Sequence, residues 1–75
     1  MTDLASLSSP SKAKILSFPK NGVFLRLREM GLCEQIKIKK LRQALFFGPV
    51  EIEFLYTKIM LRKTDAEKIK VERIK

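Results

Sequence analysis

The stretch Leu25-Arg26-Leu27-Arg28-Glu29-Met30-Gly31-Leu32 decides how this 75-residue chain is read. With Asn21 as a cap, Val23, Phe24, Leu27 and Met30 fall at i, i+1, i+4 and i+7, one face of a helix, and Arg26, Arg28 and Glu29 are left toward water. Gly31 ends the helix, because glycine takes the left-handed conformation at C′ without a steric penalty. Leu32 then stands at C″ and Leu27 at C3, the pair whose contact accompanies a Schellman motif. Leu27, Met30, Gly31 and Leu32 are therefore expected to be structural, the first two and Leu32 in the core.

Outward from the helix, the period of the apolar residues switches from 3.6 to 2. Upstream, in residues 12–18, Ala13 and Ile15 face one way and Lys14 and Leu16 the other, as in a partly buried strand, and residues 19–22 form a turn. Residues 2–7 suit a helical turn capped by Thr2, with Leu4 and Leu7 on one side, broken at Ser8, Ser9 and Pro10. Downstream, Ile36 and Ile38 alternate with Lys37 and Lys39. Beyond Gly48 and Pro49, which mark a turn, Val50, Ile52 and Phe54 alternate with Glu51 and Glu53. Lys and Glu on the outward faces of these two strands would form cross-strand pairs, each contributing a few tenths of a kcal/mol. Residues 58–62 form a further strand. Thr64 with Glu67 makes a capping-box pattern for a single helical turn, where Asp65 and Glu67 complement the helix dipole, and Ile69 and Val71 close the chain as a last strand. About five short strands, one helix after the first strand and a helical turn before the last point to a mainly β chain, a small, strongly bent sheet closing on itself.

Composition bounds the rest. One domain, residues 1–75, lies near the lower size limit for a single unstapled core, yet 45% of its residues are hydrophobic. They are mainly Ile, Leu, Val and Phe, each contributing about 1.5–3 kcal/mol when buried. Cys33 is the sole cysteine and histidine is absent, so neither a disulfide nor a His/Cys metal cluster can form within one chain. A reducing, cytosolic compartment fits. Residues 1–11 do not read as a signal peptide, and no apolar run is long enough for a membrane span. The net charge of +8 would suit nucleic acid, an anionic lipid surface or an acidic protein face. Eight basic and three acidic groups lie in residues 1–40, eight and five in residues 41–75, so a diffuse field is expected and no dedicated basic motif.

The run Leu25 to Leu32 resembles the helix of the FeoA family, cytosolic accessory proteins of bacterial ferrous iron uptake, in which a leucine, an apolar residue and glycine-leucine recur at this spacing. Gln35-Ile36-Lys37-Ile38 is similar to the family's second strand, and Gly48-Pro49-Val50-Glu51-Ile52-Glu53-Phe54 to its glycine-proline turn and third strand. Ile59-Met60-Leu61-Arg62 resembles the apolar-Ala-Leu-Arg strand, and Asp65-Ala66-Glu67-Lys68-Ile69-Lys70-Val71 the closing turn and strand. Ser9-Pro10-Ser11, Glu34 and Leu55-Tyr56-Thr57 depart from the pattern where the family usually places a glycine. The resemblance implies an SH3-like barrel that associates with FeoB, a permease with a cytosolic G-protein domain, and it implies no reaction of its own.

Arg26 and Arg28 are the helix positions most free to meet an acidic partner face. Leu45, Phe46 and Phe47 precede a Gly-Pro turn where a loop would normally be polar, and those not folded over the core would form an apolar docking patch. Cys33 reads as a half-buried structural cysteine, since one thiolate makes a poor site for ferrous iron. With no histidine base, phosphate loop or paired acids, no catalytic, cofactor or metal residue is assigned. The partner expected is a FeoB-type permease on its cytosolic side, with peripheral proximity to the membrane, no small-molecule substrate, and a monomer or weak oligomer. The alternative is a nucleic-acid-binding SH3-like or OB-like module, supported by charge and five phenylalanines but short of strand-centred aromatics.

Overall fold

The computed structural model describes residues 2–44 and 48–74. In chain order its elements are β1 Thr2–Asp3, β2 Ser11–Ser17, α1 Val23–Glu29, β3 Lys37–Gln43, β4 Val50–Phe54, β5 Thr57–Leu61, α2 Lys63–Ala66 and β6 Lys70–Ile74. The strands form one antiparallel sheet in the order β1-β6-β2-β3-β4-β5. The expected mainly β architecture holds, with one strand more than the five anticipated: Thr2, expected to cap a helical turn, pairs with Val71, and Asp3 pairs with Lys70. A two-residue strand carries no alternation by which it could be recognised. The cap of the turn that follows is Asp3, whose Oδ1 accepts the Ser6 N–H at 2.8 Å. Helix α1 accordingly follows β2, and the chain reaches β2 through a cis Ser9–Pro10 peptide.

Alternation along the strands carries the apolar residues to the inner face. Ala13 and Ile15 of β2, Ile38 of β3, Val50, Ile52 and Phe54 of β4, Leu61 of β5 and Val71 of β6 are buried in one cluster with Leu4, Leu7, Phe18, Phe24, Leu27, Leu32, Ala66 and Ile69. Irregularities in register between Ile15 and Ser17 and between Lys40 and Arg42 bend the sheet around that cluster, as bulges do. Phe18 and Phe24 meet edge to face at 5.3 Å, which ties α1 to the end of β2. The outward pairing foreseen between β3 and β4 is met only in register: Lys39 lies opposite Glu53 without an ion pair, and the pair that forms uses Arg42, whose Nε is 3.1 Å from Glu51 Oε1.

The helix ends as expected. Gly31 has φ 105°, its N–H donates to the Arg28 carbonyl at 3.0 Å, and the Leu32 N–H donates to the Leu27 carbonyl at 3.0 Å, the two bonds of a Schellman motif. Three details differ. Asn21 does not cap α1 through its side chain; the N-cap position is Gly22, and the first turn is held by the carbonyls of Asn21 and Gly22. Met30, expected in the core, is 48% exposed, because a seven-residue helix laid on the barrel buries only Phe24 and Leu27. Thr64 and Glu67 form no capping box, since α2 starts at Lys63 and Thr64 lies inside it; Glu67 instead accepts from Lys63 Nζ at 3.1 Å.

Candidate functional site

Each anticipated partner-binding residue has a different fate. Arg26 is exposed on α1. Arg28 is not free: its guanidinium donates to the carbonyls of Phe18 at 2.9 Å and Pro19 at 3.2 Å, pairs with Glu34 at 2.8 Å and lies over the Phe18 ring at 5.3 Å. That network locks the helix to the end of β2, which is a positioning task and spends the Nε and Nη2 donors inward. Arg28 beside Glu34 holds that carboxyl below its usual value. Leu45, Phe46 and Phe47 lie outside the described residues. Pro49 next to them is exposed and Gly48 half-buried; a Cβ on Gly48 would run into the Ala44 side chain and backbone, so the turn requires glycine.

The surface of α1 is more apolar than its periodicity implied. Val23, Leu25 and Met30 are exposed around Arg26, and Leu55, at the tip of the β4–β5 hairpin, places its Cδ1 3.0 Å from where a Cβ on Gly31 would stand. Gly31 thus serves twice, once by its left-handed φ and once by letting the hairpin tip approach. Leu55 (φ 47°) and Tyr56 (φ 65°) form the two-residue turn between the paired Phe54 and Thr57, both in a conformation that β-hairpins normally assign to Asn or Gly. Tyr56 is fully exposed.

The outer face of the sheet corrects the expectation of diffuse charge. Lys12 lies opposite Lys39 and Lys14 opposite Lys37 across β2 and β3, and no side chain among the described residues forms an ion pair with any of the four. Beside them an open groove of about 530 Å³ is lined by Lys12, Lys37, Lys39, Glu53, Tyr56 and Ile74. A single lysine of the same strand behaves otherwise. Lys40 is 1% exposed, and its ammonium donates to the carbonyls of Leu4 (3.0 Å), Ala5 (3.0 Å) and Leu7 (2.6 Å) and to Gln43 Oε1 (2.8 Å). Burial pushes the Lys40 amine below its ordinary value, and Asp3 acts in the opposite sense. Continuing the phase of Ile36 and Ile38 by two residues would have placed this lysine inside.

Among the described residues, no group of three or more Cys, Asp or Glu side chains could hold a metal ion, and Cys33 is half-buried and free. Phe18, Phe24 and Phe54 are all buried, so they offer no stacking platform for bases. No helix among the described residues is long and apolar enough to cross a membrane.

The sequence profile of the FeoA domain matches residues 2–73. The chain belongs to the FeoA family. No curated protein is significantly similar to it in sequence. Among solved structures, the FeoA protein of Chlorobium tepidum superposes with a TM-score of 0.87 at 27% identity, over 99% of this chain and 71% of that one. Iron(II) transport protein A of Clostridium thermocellum does so with a TM-score of 0.85 at 26% identity, over 97% of this chain and 46% of that one. The zinc complex of Stenotrophomonas maltophilia FeoA, described as an SH3 domain protein and a candidate ferrous iron transport activating factor, matches with a TM-score of 0.79 at 21% identity, over 96% of this chain and 91% of that one. The fold of this FeoA-family chain is therefore SH3-like, and its family is associated with ferrous iron transport.

Proposed function

We propose that this FeoA-family chain is a cytosolic accessory protein of bacterial ferrous iron uptake, a regulatory module that docks on the cytosolic side of a FeoB-type permease and carries out no reaction itself. The observation that supports docking is the outward side of α1, where Val23, Leu25 and Met30 surround the exposed Arg26 with Leu55 beside the helix end. Large apolar side chains held outward on a pinned helix make a surface that loses little conformational freedom on binding, which favours an interface. Arg28 drops out of the interface because it is engaged with Phe18, Pro19 and Glu34. Leu45, Phe46 and Phe47, the apolar run before Gly48 and Pro49 in the sequence, are retained in the proposal. At the inner face of the membrane, each Lys or Arg near anionic head groups would add about 1 kcal/mol.

Retention of the chain on beads carrying the permease's cytosolic domain tests the proposal. Wild type is retained; Leu25→Asp combined with Met30→Asp, or Phe46→Asp with Phe47→Asp, abolishes retention. Failure of wild type to bind overturns docking, and retention of both double variants overturns the surface.

A further inference from the structure

Folding collects charge on the outer face of the sheet that the linear sequence distributes. One row across the strands reads Ile74, Lys12, Lys39, Glu53, Lys58, and the next reads Glu72, Lys14, Lys37, five lysines against two glutamates. Like charges directly opposite in a β-pair are destabilising, and here two such pairs stand side by side on β2 and β3. The same place carries strain. Tyr56 and Leu55, both at positive φ, are held at the end of the groove that Lys12, Lys37 and Lys39 line, with the Tyr56 ring in solvent. A non-glycine left-handed residue persists only where its surroundings enforce it, and such residues gather at ligand-binding positions. Two unfavourable features therefore meet on one face: lysines set opposite lysines, and a fully exposed Tyr56 ring at a left-handed turn position that suits Asn or Gly.

We infer that this groove binds an extended acidic polypeptide segment, with carboxylates at alternate positions and an apolar residue against Tyr56. The spacing selects that occupant. Lys12 and Lys14 are two residues apart on one strand and Lys39 and Lys37 two apart on its neighbour, about 6.8 Å each, which is the repeat of side chains on one face of an extended peptide. A chain lying along β2 and β3 sets every second carboxylate between a lysine pair, which replaces lysine–lysine repulsion with attraction. Glu53 within the groove disfavours a continuous polyanion while leaving an acceptor for a peptide N–H. With Tyr56 the one exposed aromatic among the described residues, the groove has no row of rings on which successive bases could stack. This site meets the α1 surface proposed for the permease only at Leu55, and its test needs no permease.

The test uses the full chain with a fluorescent peptide in which three glutamates alternate with serines and a phenylalanine follows, beside an isomer with the glutamates contiguous, a short oligothymidylate and phosphatidylglycerol-phosphatidylcholine vesicles. The alternating peptide binds more tightly than its isomer, and amide shifts appear at residues 12–14, 37–39 and 53–56. Lys37→Glu with Lys39→Glu weakens binding about tenfold or more. Lys20→Glu with Lys68→Glu, the same change in net charge away from the groove, leaves it unaltered. Tyr56→Gly raises the melting temperature and weakens the peptide, a split that unfolding cannot produce. Equal binding of the two peptides, an equal effect of the two charge reversals, or tighter binding of oligothymidylate or vesicles through the same lysines overturns the inference. A groove that fails while the permease domain still retains the chain leaves the docking proposal standing.

Discussion

Lys39 and Lys40 are adjacent on β3, and they use the same chemical group in opposite ways. Lys40 points into the core and donates to three backbone carbonyls and the Gln43 side chain, which fastens residues 4–7 to the sheet. Lys39 points out, faces Lys12 across the strand pair, and shares its row with Glu53. The inner lysine is a solved problem: its cost of burial is offset by carbonyls that would otherwise lack donors, since the backbone turn at residues 4–7 cannot satisfy them internally. The outer lysine is only half solved, since Glu53 stands across from it on β4 while Lys12 is retained across from it on β2. Stability is thus assigned to one face of the barrel and recognition to the other.

The sharpest way to break that contrast is to remove the ammonium from each position in turn. Lys40→Met keeps the bulk and deletes the donor, leaving the carbonyls of Leu4, Ala5 and Leu7 facing an apolar group; the expected loss is about 3 kcal/mol, read as a lower urea midpoint. Lys39→Met is expected to shift stability by less than about 0.5 kcal/mol. Comparable losses at the two positions would remove the distinction.

Why one of these lysines was legible and the other not follows from what sequence patterns encode. The helix end at Gly31 and Leu32, the phase of β2 and β4 and the succession of β2 to β6 along the chain are written in apolar periodicity and turn residues, and each is present in the fold. Lys40 stands in phase with Ile36 and Ile38, but a lysine is read as outward by its charge, and the carbonyls that make it tolerable belong to residues 33 to 36 positions away. Arg28 misled for the same reason, since its acceptors come from the end of β2. Met30 misled because helical periodicity assumes a partner along the whole face, while α1 touches the barrel through little more than Phe24 and Leu27. The lysine pairs of β2 and β3 depend on register, which neither strand specifies alone.

Arg26 and Arg28 repeat the contrast on α1. Arg28→Ala loses two carbonyl acceptors, the ring contact and the Glu34 pair, for an expected 1–2 kcal/mol, about half the Lys40 effect, whereas Arg26→Ala changes unfolding little. The pH dependence sharpens the assignment. Glu34 has a folded value below its unfolded one, so its contribution is present above the unfolded value and is lost as pH falls through the folded value. In Arg28→Ala that part of the acid limb shrinks to what the backbone hydrogen bond to Glu34 retains, and an unchanged acid limb would show that the ion pair does not form in solution.

At the hairpin tip the two roles collide in one residue. Tyr56→Gly frees a left-handed position from a side chain that packs on nothing; allowing for the added freedom of glycine in the unfolded chain, the gain is about 0.5–1 kcal/mol. Leu55→Gly gives less, because Leu55 also covers Gly31. A loss of stability in Tyr56→Gly would mean that the ring has a structural contact and the tip is not held for binding.

The smallest effect bears most directly on the division of labour. Lys37→Glu places a carboxylate opposite Lys14 and converts one repulsive cross-strand pair into an attractive one. Exposed pairs of this kind contribute a few tenths of a kcal/mol, so the urea midpoint should rise by that amount at low salt and return toward wild type as screening increases. The sign is what matters. A chain selected for stability alone would gain from a glutamate at position 37, so a measured rise makes the lysine there a feature retained against stability. A fall instead means that Lys37 contributes through its aliphatic stem along the sheet, and the outer face would then be as structural as the inner one.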